Sequence, residues 1–192
     1  TALRGVLHIA DFGHTVLGGK VMGTLAKGLH ALGLPLWTVS MPKAYNAAKK
    51  AAPPTDSPDK VVYFPSCLNQ TMGTDKASKG MKPLAEEMVE LLQKAGYQVI
   101  FPKNMDSLCC GTIWESKGLP EIAVKKTRQL EEAFGEASEY GKWPVICDQS
   151  PCLHRMKQHI TKVQLYESAE FIWKFLRDRL TFTQTDTPVA LH

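Results

Sequence analysis

From Lys60 onward the chain alternates short β-branched or aromatic runs with longer stretches whose apolar residues recur every three to four positions. That alternation limits the fold more than any other feature, because strands separated by helices pair in parallel through right-handed crossovers. Val61-Val-Tyr-Phe64 reads as the first strand, broken by Pro65-Ser-Cys67. Pro83 opens a helix with Leu84, Met88, Leu91, Leu92 and Ala95 on one face, and Gly96 ends it. Residues 97–101 form the second expected strand, stopped by Pro102. A helix from Pro120 carries Ala123, Thr127, Leu130, Phe134 and Ala137 in one stripe. Residues 144–147 read as a third strand, 153–160 as a short helix and 162–166 as a fourth strand, and Ser168 is placed to cap a last helix reaching about Leu180. The expected fold class is α/β, an open, mostly parallel sheet with helices on both faces, preceded by a helical segment.

Residues 1–52 are that segment. Val16, Leu17, Val21, Leu25, Leu29 and Leu32 keep a helical step up to Gly33, residues 34–37 run extended, and 44–52 suit a short helix. Pro53-Pro-Thr-Asp-Ser-Pro-Asp59 reads as a linker over 53–60, which places the α/β domain at 61–182 and the opening of a further segment at 183–192. The missing initiator Met and the strand-like Val189-Ala-Leu191 suggest a piece of something longer. The 23 basic and 19 acidic residues leave a net charge of +4 with no dense Lys/Arg run, so nucleic acid is not an expected partner. No apolar stretch approaches the roughly 18 residues needed to span a bilayer, so at most peripheral membrane association is expected.

Five cysteines follow the pattern C-x41-C-C-x36-C-x4-C, at 67, 109, 110, 147 and 152. Each comes just after an expected strand or at its end, where an open α/β sheet builds its binding crevice. Parallel strands all end on one edge, so the five sulfurs can converge, and helix N-termini there favour the negative charge of thiolates. Several chemistries compete. Inert packed thiols are common among free cysteines, but such residues sit inside apolar runs, as Cys147 alone does here. An odd count with wide spacing is unlike a secreted disulfide framework, so a reducing, cytoplasmic setting is expected. Structural zinc usually shows tight C-x2-C knuckles, absent here. An iron–sulfur cluster is wide enough to accept ligands from adjacent residues and distant segments alike. Gly111 after the pair is read as removing a side chain where such a cluster approaches the backbone.

Tyr63-Phe-Pro-Ser-Cys67, Leu108-Cys-Cys-Gly111 and Asp148-Gln-Ser-Pro-Cys152 resemble the cysteine-rich CCG domain of heterodisulfide reductase B subunits and glycolate oxidase iron–sulfur subunits. Val62-Tyr-Phe-Pro-Ser-Cys67, Ser116-Lys-Gly118, Glu136-Ala-Ser-Glu-Tyr-Gly141 and Ser150-Pro-Cys152 look more like the C-terminal iron–sulfur part of FAD-linked D-lactate dehydrogenases. The likeness covers about residues 60–182, with 1–52 resembling that group's inter-module segment. It implies that Cys67, Cys109, Cys110 and Cys152 are metal ligands of an iron–sulfur cluster of the 4Fe-4S type. Cys147 is an open fifth position, because the family's closing C-x2-C is C-x4-C here and Gln149 stands where a cysteine would fall. Asp148 and Ser150 flank Cys152, as an oxygen ligand, as hydrogen-bond donors or acceptors near sulfur, or simply as helix caps. The resemblance further implies an FAD-binding domain elsewhere in the same polypeptide, a quinone or cytochrome acceptor, and a cytoplasmic place at the inner face of a membrane. It assigns the fragment no catalytic residue and no dehydrogenase activity of its own. The rival implications are a heterodisulfide-reductase-like subunit acting on disulfides and a non-enzymatic, metal-stabilised interaction module.

Other motifs carry less. Gly13-His-Thr-Val-Leu-Gly-Gly-Lys20 misses a P-loop by one inserted Gly and lacks the hydroxyl at Val21. His154 lies two residues after Cys152, with an exposed helix position as the plain reading, and Trp114 stands where it can shield the cysteines from water. The Lys125, Lys126 and Arg128 group reads as the solvated face of its helix.

Overall fold

The computed structural model describes residues 2–49, 56–184, 186 and 188. Part of the expected 53–60 linker and the stretch 189–191 lie outside the described residues. Four strands, β1 (Lys60–Phe64), β2 (Gln98–Ile100), β3 (Val145–Cys147) and β4 (Leu165–Glu167), form one parallel sheet in the order β2-β1-β3-β4. The α/β class is thus as expected. β1 and β3 are central and their apolar runs are almost wholly buried, as strands covered on both faces must be. Phe64 stacks edge-on against Phe134 at 5.3 Å, while its neighbour Tyr63 leans towards Phe101 at 5.9 Å. Successive strand residues point to opposite faces, so this pair marks the two sides of the sheet.

The helices are α1 (Ala2–Ala31), α2 (Cys67–Thr71), α3 (Leu84–Lys94), α4 (Thr112–Glu115), α5 (Pro120–Ala137), α6 (Ser150–His159) and α7 (Ser168–Phe171), which continues as a π-turn over Ile172–Leu176. Glycine endings fall where they were expected: Gly33 and Gly96 both take φ +89, the left-handed geometry that lets a helix stop. Several expected bounds shift: β4 runs Leu165–Glu167, α6 starts at Ser150, the last helical stretch ends at Leu176, and the 44–52 helix is described only as a 3-10 turn over Ala47–Lys49. The N-terminal helix starts at Ala2 rather than near Val16, with a break at Gly18 (φ 75, ψ 162) joining its two halves. Ser168 is not the cap of the last helix; Glu167 is, accepting a hydrogen bond from the Ala169 N–H at 2.7 Å, because its longer carboxylate reaches back over the turn. The Ser168 hydroxyl is buried instead.

The segment before the linker is tied into the α/β body. Tyr45 and Ala47 belong to its core, the Tyr45 N–H donates to the Thr71 carbonyl at 2.9 Å, and Ala44 bridges antiparallel to Met72. From α1, the Arg4 guanidinium donates to the Tyr45 and Gln70 carbonyls at 2.8 and 2.9 Å and pairs with Asp106 at 2.7 Å. Beyond those anchors α1 buries only Leu7 and Ala26. Among the described residues no helix is long and apolar enough to cross a membrane.

Candidate functional site

From β1 the chain moves to one side of the sheet to build β2, and from β3 to the other side to build β4. Where neighbouring strands send the chain in opposite directions, their C-terminal ends leave a crevice between the outgoing connections. Phe64 and Cys147 pair across that point. Cys67 begins α2 three residues beyond Phe64, and Cys152 lies in the first turn of α6 after β3. The loop after β2 returns to the same rim through a short 3-10 turn over Met105–Ser107 and delivers Cys109 and Cys110.

The structure brings Cys109, Cys110 and Cys152 into contact and Cys67 and Cys147 within electrostatic reach of them. Cys110 is within hydrogen-bonding reach of both Cys109 and Cys152, and Cys67 and Cys147 feel its charge. Cys67 is exposed, Cys109 and Cys152 are half-buried, and Cys110 and Cys147 are buried. The charge distribution follows from packing. Hydrogen bonds from the Cys109 thiol, then from Cys152, hold the Cys110 sulfur well below an ordinary thiol, with the Thr112 hydroxyl adding support at 3.2 Å. Cys109 and Cys152 are pushed up by giving their protons to that bond and then by burial. A negative charge placed on this trio is therefore eased by mutual hydrogen bonding and belongs to the set rather than to one atom. Burial, then repulsion from Cys110, raises Cys67.

Cys147 stands apart. It is fully buried in the core, and burial pushes its thiol up to about 12. Asp148 neither caps α6 nor points at sulfur: its two carboxylate oxygens accept from the Tyr63 hydroxyl and the Ser66 N–H, each at 2.8 Å. It thereby pins the turn that presents Cys67 to the strand that presents Cys147. Ser150 is exposed at the first position of α6. The cap residue of that helix, Gln149, makes no side-chain cap bond, so the first-turn dipole is left to act on Cys152.

Gly111 is required by its protein neighbours alone. At φ +97 a Cβ there would lie 2.7 Å from the Ala123 carbonyl, 2.8 Å from Arg155 Nε and 2.9 Å from Thr127 Oγ1. The missing side chain thus makes room for protein, on the side of α5 and α6, and the Gly111 N–H donates to Cys109 Sγ at 3.4 Å. His154 is exposed beside Gln158, and Trp114 is partly buried on α4. One participant had no sequence signal: Arg155, buried on α6 one turn after Cys152, donates from Nε to the Cys110 carbonyl at 3.1 Å.

Soft thiolates converging on one rim are the donor set that iron–sulfur clusters and zinc prefer, so the residues fit such a group. Among the described residues no group of three or more His, Cys, Asp or Glu side chains is gathered closely enough to hold a single metal ion. A cluster carries its thiolates on separate irons and spaces them more widely. Comparison with protein-family models, curated proteins and solved structures found no match to the chain.

Proposed function

We propose that this chain is a CCG-type iron–sulfur electron-transfer domain, with Cys67, Cys109, Cys110 and Cys152 as the ligands and Cys147 as the packed floor beneath them. The observation that carries this reading is the meeting of sulfurs from three separate βα segments at the C-terminal rim between β1 and β3. When bound, the cluster takes up and releases single electrons. The chain's own residues supply the rest. Cys109, Cys152 and Cys67 hold protons more tightly than ordinary thiols and would release them on binding a cluster. The Gly111 N–H and the Thr112 hydroxyl remain to hydrogen-bond the ligand sulfurs and lower the energy of their charge.

In the parent enzyme an FAD domain would oxidise a D-2-hydroxy acid such as D-lactate, and this domain would pass the electrons to a quinone or cytochrome. It would work in the cytoplasm, at the inner face of the membrane. Hydride chemistry belongs to the flavin, and the chain by itself is expected to oxidise no D-lactate. The exposed sulfur of Cys67 supports a second reading, a heterodisulfide-reductase-like site open to a disulfide substrate. Anaerobic reconstitution with iron and sulfide, read by absorption, EPR and metal count, tests the first. Cluster signals lost in Cys109→Ser and kept in Cys147→Ser are expected. Zinc binding without iron or sulfide would leave only a structural module, and signals surviving Cys109→Ser would refute the ligand set.

A further inference from the structure

Among the described residues Arg155 is the only Lys, Arg, Asp or Glu in the buried interior, 3% exposed. A guanidinium is driven out of water only where its donors are matched, and here they are spent on the cysteine turn. Nε donates to the Cys110 carbonyl at 3.1 Å, and Nη1 pairs with Glu115 and lies 3.3 Å from His159 Nε2. The Thr127 hydroxyl, from α5, sits 2.9 Å from the same Cys110 carbonyl. Glu115 ends α4, the helix that begins two residues after Cys110. One planar side chain on α6 thus grips the turn both before and after Gly111.

We propose that Arg155 is a positioning residue for the sulfur site, holding the Cys110 carbonyl to α6 and so setting the separation of Cys110 from Cys152. The inference rests on the reading of these sulfurs as one site. Two independent features agree with it. Arg155 and Cys152 are one helical turn apart on a single rigid element, so fixing Cys110 to one fixes it relative to the other. The turn itself is glycine where a Cβ would meet Arg155 Nε at 2.8 Å, so the space beside Cys110 belongs to the guanidinium. A lysine would carry the charge without the flat, several-donor fork that reaches a carbonyl and a carboxylate together.

The test uses the reduced, metal-stripped chain and dibromobimane, which joins two nearby thiols through stable thioethers that peptide mapping locates. Cys109 and Cys110 are chain neighbours, so their bridge is the internal standard. Arg155→Met is expected to lower the Cys110–Cys152 bridge, relative to that standard, by roughly tenfold. Arg155→Lys should fail to rescue it, and Thr127→Val should lower it by about threefold. An unchanged ratio in Arg155→Met with native far-UV circular dichroism overturns the proposal, as does full rescue by Arg155→Lys. Should Arg155→Met lose its native spectrum, Thr127→Val decides: a lowered ratio upholds the role and a wild-type ratio overturns it. Iron and sulfide uptake by the wild-type chain is scored separately. Failure there sinks the electron-transfer reading and leaves the positioning role standing, whereas uptake with unchanged bridging in every folded variant does the reverse.

Discussion

Cys147 and Cys110 are the same residue type put to opposite uses by their surroundings. Cys110 lies beside two thiols and a hydroxyl that lower its thiol, whereas burial in the core raises that of Cys147. A thiol whose folded value lies above its unfolded one contributes stability that is complete below about pH 9 and drains away as pH climbs towards about 12. Urea midpoints measured between pH 8 and 11 should therefore fall with a slope that Cys147 steepens, by up to about 1.4 kcal/mol per pH unit. Cys147→Ala should flatten that slope, and an unaltered slope would mean that the thiol ionises freely. Gly111 is exacting for a steric reason. Placing a Cβ there meets backbone and a held guanidinium at a left-handed φ, so Gly111→Ala is expected to cost about 2–4 kcal/mol in equilibrium unfolding. A loss under about 1 kcal/mol would show that the turn gives way.

Among the elements, α1 departs furthest from a typical surface helix. An amphipathic helix turns one stripe inward and keeps the other polar. In α1 Ile9 is 75% and Phe12 70% exposed, while Leu7 is 3% exposed and fastens the helix beside the Arg4 contacts. The energetic consequence is uneven. Leu7→Ala should destabilise the fold by about 2–3 kcal/mol, and Phe12→Ser should leave the unfolding midpoint within about 0.5 kcal/mol of wild type. Chemical denaturation of the two variants side by side checks both. Equal losses would place Phe12 in a packed environment. The shortest elements tell a different story. α2 and α4, of five and four residues, are too brief for a 3.6-residue period to register in sequence. α2 forms because the turn after β1 and the Ser66 hydroxyl, which accepts from the Asn69 N–H, direct the backbone there, and α4 starts from the left-handed turn at Gly111.

At the scale of the molecule, the order of strands and helices from Lys60 was legible because β1 and β3 are short apolar runs rich in β-branched or aromatic residues and α3 and α5 keep one clean stripe. The gathering of cysteines at one rim was legible too, since parallel strands share a C-terminal edge. The role of Asp148 was not, because a carboxylate beside a helix start looks like a cap until Tyr63 and Ser66 are seen to hold it. Arg155 was invisible for a similar reason: flanked by His154 and close to Lys157, it reads as one more solvated helix residue, and only the arrival of α4 and α5 buries it.

The topology also dictates an order of maturation. A nascent chain that has emerged through β2 carries a single thiol, Cys67; Cys109 and Cys110 follow on the next loop, and Cys147 and Cys152 come only with β3 and α6. If the proposed cluster is held by Cys67, Cys109, Cys110 and Cys152, its ligands meet only after β3 has paired with β1, and a delivery protein would have to recognise a folded surface rather than an unfolded peptide. On that reading, a chain caught before that stage would be a poor recipient however abundant the iron.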